Sequence, residues 1–176
     1  MNPATLERIK FLQTNRSFLG REYMTWLWYW LETRNNIVDL SDKSTFHLYF
    51  NDRIVLSSAS GAVREHALKG GTPATAREAK QAVANGKLVT EASFLLKQDK
   101  LQWTWSMKSD DLIFRSIRLP AVAADEADAY LAARLRHIDT LKRVKEELFQ
   151  SFFNLRFSSG FKSVHRELAS WAAEAP

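Results

Sequence analysis

The stretch SFLGREYMTWLWYWLE, Ser17–Glu32, places three tryptophans, two tyrosines and a methionine within one short segment. Arg21, Glu22 and Glu32 interrupt it, so it falls short of the roughly 20 apolar residues that a membrane-spanning helix needs. Its apolar residues do recur at helical spacing. Leu19, Tyr23, Trp26, Leu27, Trp30 and Leu31 follow one another at the steps of three and four that make one flank of an α-helix. Trp28 and Tyr29 widen that flank beyond what a single partner surface covers, which predicts that two surfaces meet this helix. Ser17 is the expected N-cap and Asn35-Asn36 the expected break.

Beyond the helix the period changes. Phe46, Leu48 and Phe50 alternate with His47 and Tyr49, predicting a strand, and Asn51-Asp52 reads as a turn into a partner strand through Ile54 and Leu56. A shorter extended piece near Val63–Leu68 ends at the glycine pair of KGGTP. Thr75 and Glu78 are spaced as a capping box, opening a short helix that Asn85-Gly86 ends. Three segments follow, around Phe94, Trp103-Trp105 and Phe114–Leu119, joined by the polar turns KQDK and KSDD, and they read as an antiparallel meander. A long helix from about Asp125 to Phe153 then carries Leu131, Leu135, Ile138, Leu141, Val144, Leu148 and Phe152 at helical steps, and a last short helix spans about Lys162–Ala173. The expected class is α+β: an antiparallel sheet, a hairpin plus a three-stranded meander, packed with an aromatic N-terminal helix and a long C-terminal helix.

The chemistry on offer is narrow. With no cysteine and four scattered histidines the 176-residue chain has no disulfide framework and no zinc-ligand spacing. Phosphate-loop, dinucleotide-binding, zinc-protease and nucleophile-elbow motifs are all missing from the sequence. Asp110-Asp111 reads as a pair of solvated turn formers rather than a metal site. The chain is therefore expected to be neither enzyme nor cofactor protein. Charge carries more information. The formal net charge is +5 with pI near 9.6, and Arg134–Arg166 alone holds eight basic against three acidic residues. A polyanion partner fits that distribution, since each neutralised phosphate releases condensed counterions. The candidate DNA contacts are Arg77, Lys80 and Lys87 around the short helix and Arg136, Lys142, Arg143 and Lys145 on the long one. Sequence-specific readout has no recognition-helix or zinc-finger signature to rest on. Tyr23, Trp26, Leu27, Trp30, Trp103 and Trp105 are expected to be buried, either in the core or against a second copy.

The order LGREYMTWLWYW, then ALKGG, AREAKQAVANGKLVTEASFLLKQDKLQWTW and IRLP resembles the central and C-terminal part of the recombination-associated protein RdgC family. The likeness covers roughly residues 19–157, which gives an expected division into an N-terminal extension (1–18), an RdgC-like domain (19–157) and a C-terminal helical segment (158–176). The longer N-terminal region of family members has no counterpart before Leu19 in this sequence. The resemblance implies a non-enzymatic, cytoplasmic, nucleoid-associated homodimer that binds double-stranded DNA without sequence preference and modulates homologous recombination by limiting a recombinase's access. The alternative expectation is a protein-interaction or assembly module, serving a recombinase or phage partner without touching DNA. Neither reading calls for a cofactor, a metal or a membrane.

Overall fold

The computed structural model describes residue 7 and residues 16–58, 65–71, 77–124 and 126–174. The elements run α1 (Arg16–Glu32), β1 (Ile37–Asp39), β2 (Thr45–Ser57), β3 (Glu65–Lys69), α2 (Arg77–Ala84), β4 (Leu88–Gln98), β5 (Leu101–Lys108), β6 (Phe114–Arg118), α3 (Ala127–Arg156) and α4 (Phe161–Ala173). The fold is α+β. All six strands form one antiparallel sheet in the order β1-β2-β4-β5-β6, with β3 paired to the C-terminal part of β2. None of the described helices is long and apolar enough to cross a membrane.

Asn51-Asp52 does not turn the chain. Thr45–Ser57 is one continuous strand in which Phe50 faces Phe94 and Ile54 faces Ala92, so β2 advances four residues while β4 advances two. The surplus forms a bulge, and the Ser93 hydroxyl fills it, accepting the Arg53 N–H at 2.9 Å and donating to Asp52 Oδ1 at 2.6 Å. The polar pair that resembles a hairpin turn is thus accommodated inside the sheet. The hairpin lies one segment later, between β2 and β3, and the meander β4-β5-β6 stands as expected, with Asp99-Lys100 turning β4 into β5.

Alternation sets the two faces of the sheet. Phe46, Leu48, Phe50, Phe94, Leu96, Trp103, Trp105 and Met107 point to the buried side, where the helices lie. Nearly the whole circumference of α1 is buried, from Leu19 and Gly20 through Tyr23–Trp28 to Leu31. Three surfaces meet it, one more than its sequence suggests. It lies on β4 and β2, Tyr23 meets Phe149 edge-on at 5.2 Å on α3, and Trp28 meets Trp171 edge-on at 5.1 Å on α4. Trp26 packs against Phe152 at 5.4 Å, so its ring is covered by the chain's own α3 rather than by a second copy. Tyr23, Leu27, Trp103 and Trp105 are core in the same way, while Trp30 is half-buried beneath the Arg34 guanidinium.

Helix ends follow from local chemistry with one correction. Ser17 lies inside α1, and its hydroxyl donates to Asp110 Oδ1 at 2.7 Å instead of capping. Asn35 and Asn36 end that helix in left-handed conformation, φ 54° and 62°. For α2, Thr75 lies outside the described residues. Its C-terminus closes with Gly86 at φ 82°, Gly86 N–H donating to Val83 C=O and Lys87 N–H to Ala82 C=O, the paired bonds of a Schellman motif.

Gly20 sets how closely α1 seats on the sheet. A Cβ built at Gly20 would stand 1.9 Å from the Ser109 carbonyl oxygen, an approach no side chain makes without moving backbone. Gly20→Ala should therefore cost at least about 3 kcal/mol, the upper part of the overpacking range, despite alanine's better helix propensity. Denaturant unfolding measures it; a variant as stable as the parent would show that the backbone there yields freely.

Candidate nucleic-acid interface

The seven cations singled out by charge sit on two separate groups of elements. Arg77, Lys80 and Lys87 belong to α2 and the turn after it, which pack against α4 and the β2–β3 hairpin. Arg136, Lys142, Arg143 and Lys145 belong to α3. The structure commits four of the seven to the fold. Lys80 Nζ lies 2.6 Å from Glu32 Oε2 and over the Trp171 ring at 4.8 Å. Lys87 is buried, 8% exposed, with the backbone turn of the Schellman motif around it. Arg143 is ion-paired with Asp42 on the β1–β2 loop. Lys145 reaches the other way, donating to the Leu112 carbonyl at 3.3 Å with its ammonium 4.9 Å from the Phe114 ring. Arg77, Arg136 and Lys142 remain exposed, with no carboxylate partner among the described residues.

Sequence charge alone does not show that Glu32 gathers its neighbours. Its carboxylate accepts from Trp28 Nε1 at 2.9 Å and Trp171 Nε1 at 3.0 Å as well as from Lys80, joining α1, α4 and α2 at one point. A second tie, Arg156 to Glu22 at 2.8 Å, joins α3 to α1. Glu32→Gln removes a charge-assisted acceptor shared by three donors and should cost about 2 kcal/mol of unfolding free energy. Lys80→Met, which keeps the stem over Trp171, should be milder, and denaturant unfolding of the two variants measures the difference. A Glu32→Gln variant as stable as the parent would show that the three donors find other acceptors.

The carboxylate pair at the β5–β6 turn is divided between partners. Asp110 takes Ser17, while Asp111 holds Arg115 through both oxygens at 3.0 and 2.5 Å and accepts the Ile113 N–H at 2.9 Å. That pairing raises the Arg115 pKa. No group of three or more metal-ligating side chains occurs among the described residues. His137 on α3 stands edge-on to Trp103 at 5.4 Å, and burial, aided by Arg136 and Arg134, holds its pKa below the ordinary histidine value. A cavity of about 430 Å³ opens between α1, α2 and α4, walled by Trp26, Phe152, Phe161 and Leu168. Its carboxylate, Glu22, is taken by Arg156, and its hydroxyl, Thr25, by the Arg21 carbonyl and the Val89 N–H. His165 also lines it, with no carboxylate or hydroxyl partner among the described residues.

On the side of the sheet away from the helices a different group assembles. His47, Lys97 and Gln102 form one cross-strand row, and Tyr49, Leu95, Thr104 and Arg118 form the next. Lys97 leans over the Tyr49 ring, its ammonium 5.7 Å from the centroid. These side chains are half-buried or exposed, and neither Lys97 nor Arg118 has a carboxylate partner among the described residues. The alternation of His47 and Tyr49 against Phe46, Leu48 and Phe50 is the signal in the sequence that finds this face. Compared with known protein families, with curated proteins and with solved structures, the chain matches none.

Proposed function

We propose that this chain is a non-enzymatic DNA-binding protein that occupies duplex DNA without sequence preference and thereby modulates homologous recombination. One observation carries the reading. Between Arg134 and Lys145, α3 holds five cations and one carboxylate, and Arg136 and Lys142 stand exposed with no carboxylate partner among the described residues. Such cations bind phosphate by releasing counterions and read no bases. The resemblance of its motifs to the RdgC family points to the same activity and to a cytoplasmic, nucleoid-associated setting.

Replacing Arg77, Arg136 and Lys142 together with alanine should weaken binding to unrelated duplexes by a common factor. It should also flatten the log–log salt dependence by about 0.9 for each phosphate that is no longer neutralised. Affinity measured against salt for two unrelated sequences decides it. An unchanged slope would remove these residues from the interface, and weakening confined to one sequence would contradict backbone-only binding.

A second observation favours association between proteins. Leu131, Leu135 and Ile138 are 57%, 51% and 38% exposed, and they share a heptad-spaced ridge of α3 with Lys142 and Lys145. We read the apolar stretch of this ridge, Leu131 to Ile138, as the interface between two copies of the chain, which leaves Lys142 beyond it open to phosphate. Leu131→Glu with Leu135→Glu should convert a dimer to a monomer in sedimentation while leaving thermal unfolding of the monomer unchanged. A parent that is monomeric at micromolar concentration would leave the ridge to a different protein partner and favour the interaction-module reading.

A further inference from the structure

The open face of the sheet carries a feature that duplex binding through α2 and α3 does not use. His47 and Tyr49, successive outward residues of β2, hold their rings within 13° of parallel with centroids 6.3 Å apart. Stacked bases lie about 3.4 Å apart, so a planar base placed between two rings needs about 6.8 Å from ring to ring. The gap between the ring planes is at most that centroid distance, so the two side chains must rotate apart by at least about 0.5 Å to admit a base. Strand geometry allows this, because outward side chains two residues apart stand about 6.6 Å from each other along the strand.

The surroundings of that gap have the chemistry that a nucleotide needs. Lys97 lies beside His47 in the cross-strand register and extends over Tyr49, and Arg118 ends the row Tyr49–Leu95–Thr104. Both cations lack a carboxylate partner among the described residues, so they are available to phosphate. They sit on β4 and β6, two strand spacings or about 10 Å apart, a reach that one extended polynucleotide backbone covers. Gln102 and Thr104, on the strand between them, offer amide and hydroxyl groups to base edges. One carboxylate on this side, Asp39, is held by the Thr45 hydroxyl at 2.6 Å. Farther along the face Arg53 and Glu91 neutralise one another at 2.9 Å, which leaves the positive character at the Tyr49 end.

We propose that this face binds single-stranded nucleic acid, one base entering between His47 and Tyr49 and displacing the Lys97 ammonium from the Tyr49 ring to a flanking phosphate, with Arg118 holding the next. A duplex cannot use the slot, because its bases are stacked on one another; an unpaired strand can. The inference goes beyond the duplex-binding reading and rests on different residues.

The test uses the whole chain and fluorescence anisotropy at low salt with oligothymidine, oligouridine and an unrelated duplex, each about a dozen nucleotides long, within the span that single-strand-binding folds cover. Tyr49→Ala should weaken single-strand binding about tenfold, the usual cost of removing one base-stacking aromatic, while duplex affinity stays as in the parent. Tyr49→Phe should bind like the parent, which separates stacking from the hydroxyl and from any folding defect. Lys97→Ala with Arg118→Ala should flatten the salt dependence for single strands alone. A preference between oligothymidine and oligouridine supports the slot either way, since both present unpaired pyrimidines to it. Single-strand affinity that is unchanged in Tyr49→Ala and His47→Ala overturns the proposal. Binding of duplex without single strands overturns it too and leaves the duplex reading intact, whereas failure to bind any of the three overturns both.

Discussion

The seat of α1 on the sheet is fixed by a backbone that has no room for a side chain. Because residue 20 is glycine, the helix comes close enough for the Ser109 carbonyl to fill the space of the missing Cβ. One turn and a half further on, Thr25 turns that proximity into a bond. Its hydroxyl donates to the Arg21 carbonyl at 2.8 Å and accepts the Val89 N–H at 2.9 Å. That N–H lies at the start of β4, where β2 and β4 pass through a register shift between Val55 and Leu56, so a hydroxyl from the helix satisfies a buried donor. A helix held at two points in this way cannot slide. Its aromatic residues then meet fixed partners: Trp28 between Phe50 and Trp171, Tyr23 between Phe149 and Phe152.

From that arrangement the separation of the two faces follows. A one-layer antiparallel sheet buries one face when helices cover it and leaves the other to water. All the large tryptophans and phenylalanines of β2, β4 and β5 point inward, because α1 and α3 are there to receive them. The side chains between them point outward. The aromatic groups best able to stack on a base in isolation, Trp103 and Trp105, are consequently sealed in the core, and the smaller outward pair His47 and Tyr49 is what the molecule presents.

Much of this architecture is legible from periodicity. The long helix, the aromatic helix and the meander are each set by many residues that agree, and burial of an apolar stripe dominates their energetics. Asn51-Asp52 misleads because a bulge and a turn both want polar residues with relaxed backbone. What distinguishes them is the hydroxyl of Ser93, forty-one residues from Asp52 and visible only once the strands are paired. The same long-range dependence hides the fate of the basic residues. Lys80 looks like surface charge until Glu32, Trp28 and Trp171 arrive from two other helices, and Arg143 looks free until Asp42 folds against it. Asp42 is itself prepared for that role, since hydrogen bonds from the Ser44 hydroxyl and N–H, joined by Arg143, hold its carboxyl below the usual range. Sequence counts charges; the fold decides which of them are neutralised.

The long helix shows how one element serves two surfaces. Leu141, Val144, Leu148 and Phe152 form the ridge that meets the core, with Leu148 and Phe152 continuing it to the end that Arg156 ties to Glu22. Leu131, Leu135 and Ile138 lie on a different ridge, turned by roughly a quarter of the circumference as three- and four-residue steps accumulate. Were they on the core ridge, their exposure would only mean that the helix outruns its support. Lying on the flank that carries Lys145 to the Leu112 carbonyl, they instead extend the side of the molecule where β6 ends the sheet and where Ile113 and Ile117 are also exposed. Arg136 stands on the opposite flank, with Arg143 and Thr140 near it in helical register. An exposed apolar ridge and the exposed Arg136 thus stand on different sides of one helix, so the two surfaces can be changed independently.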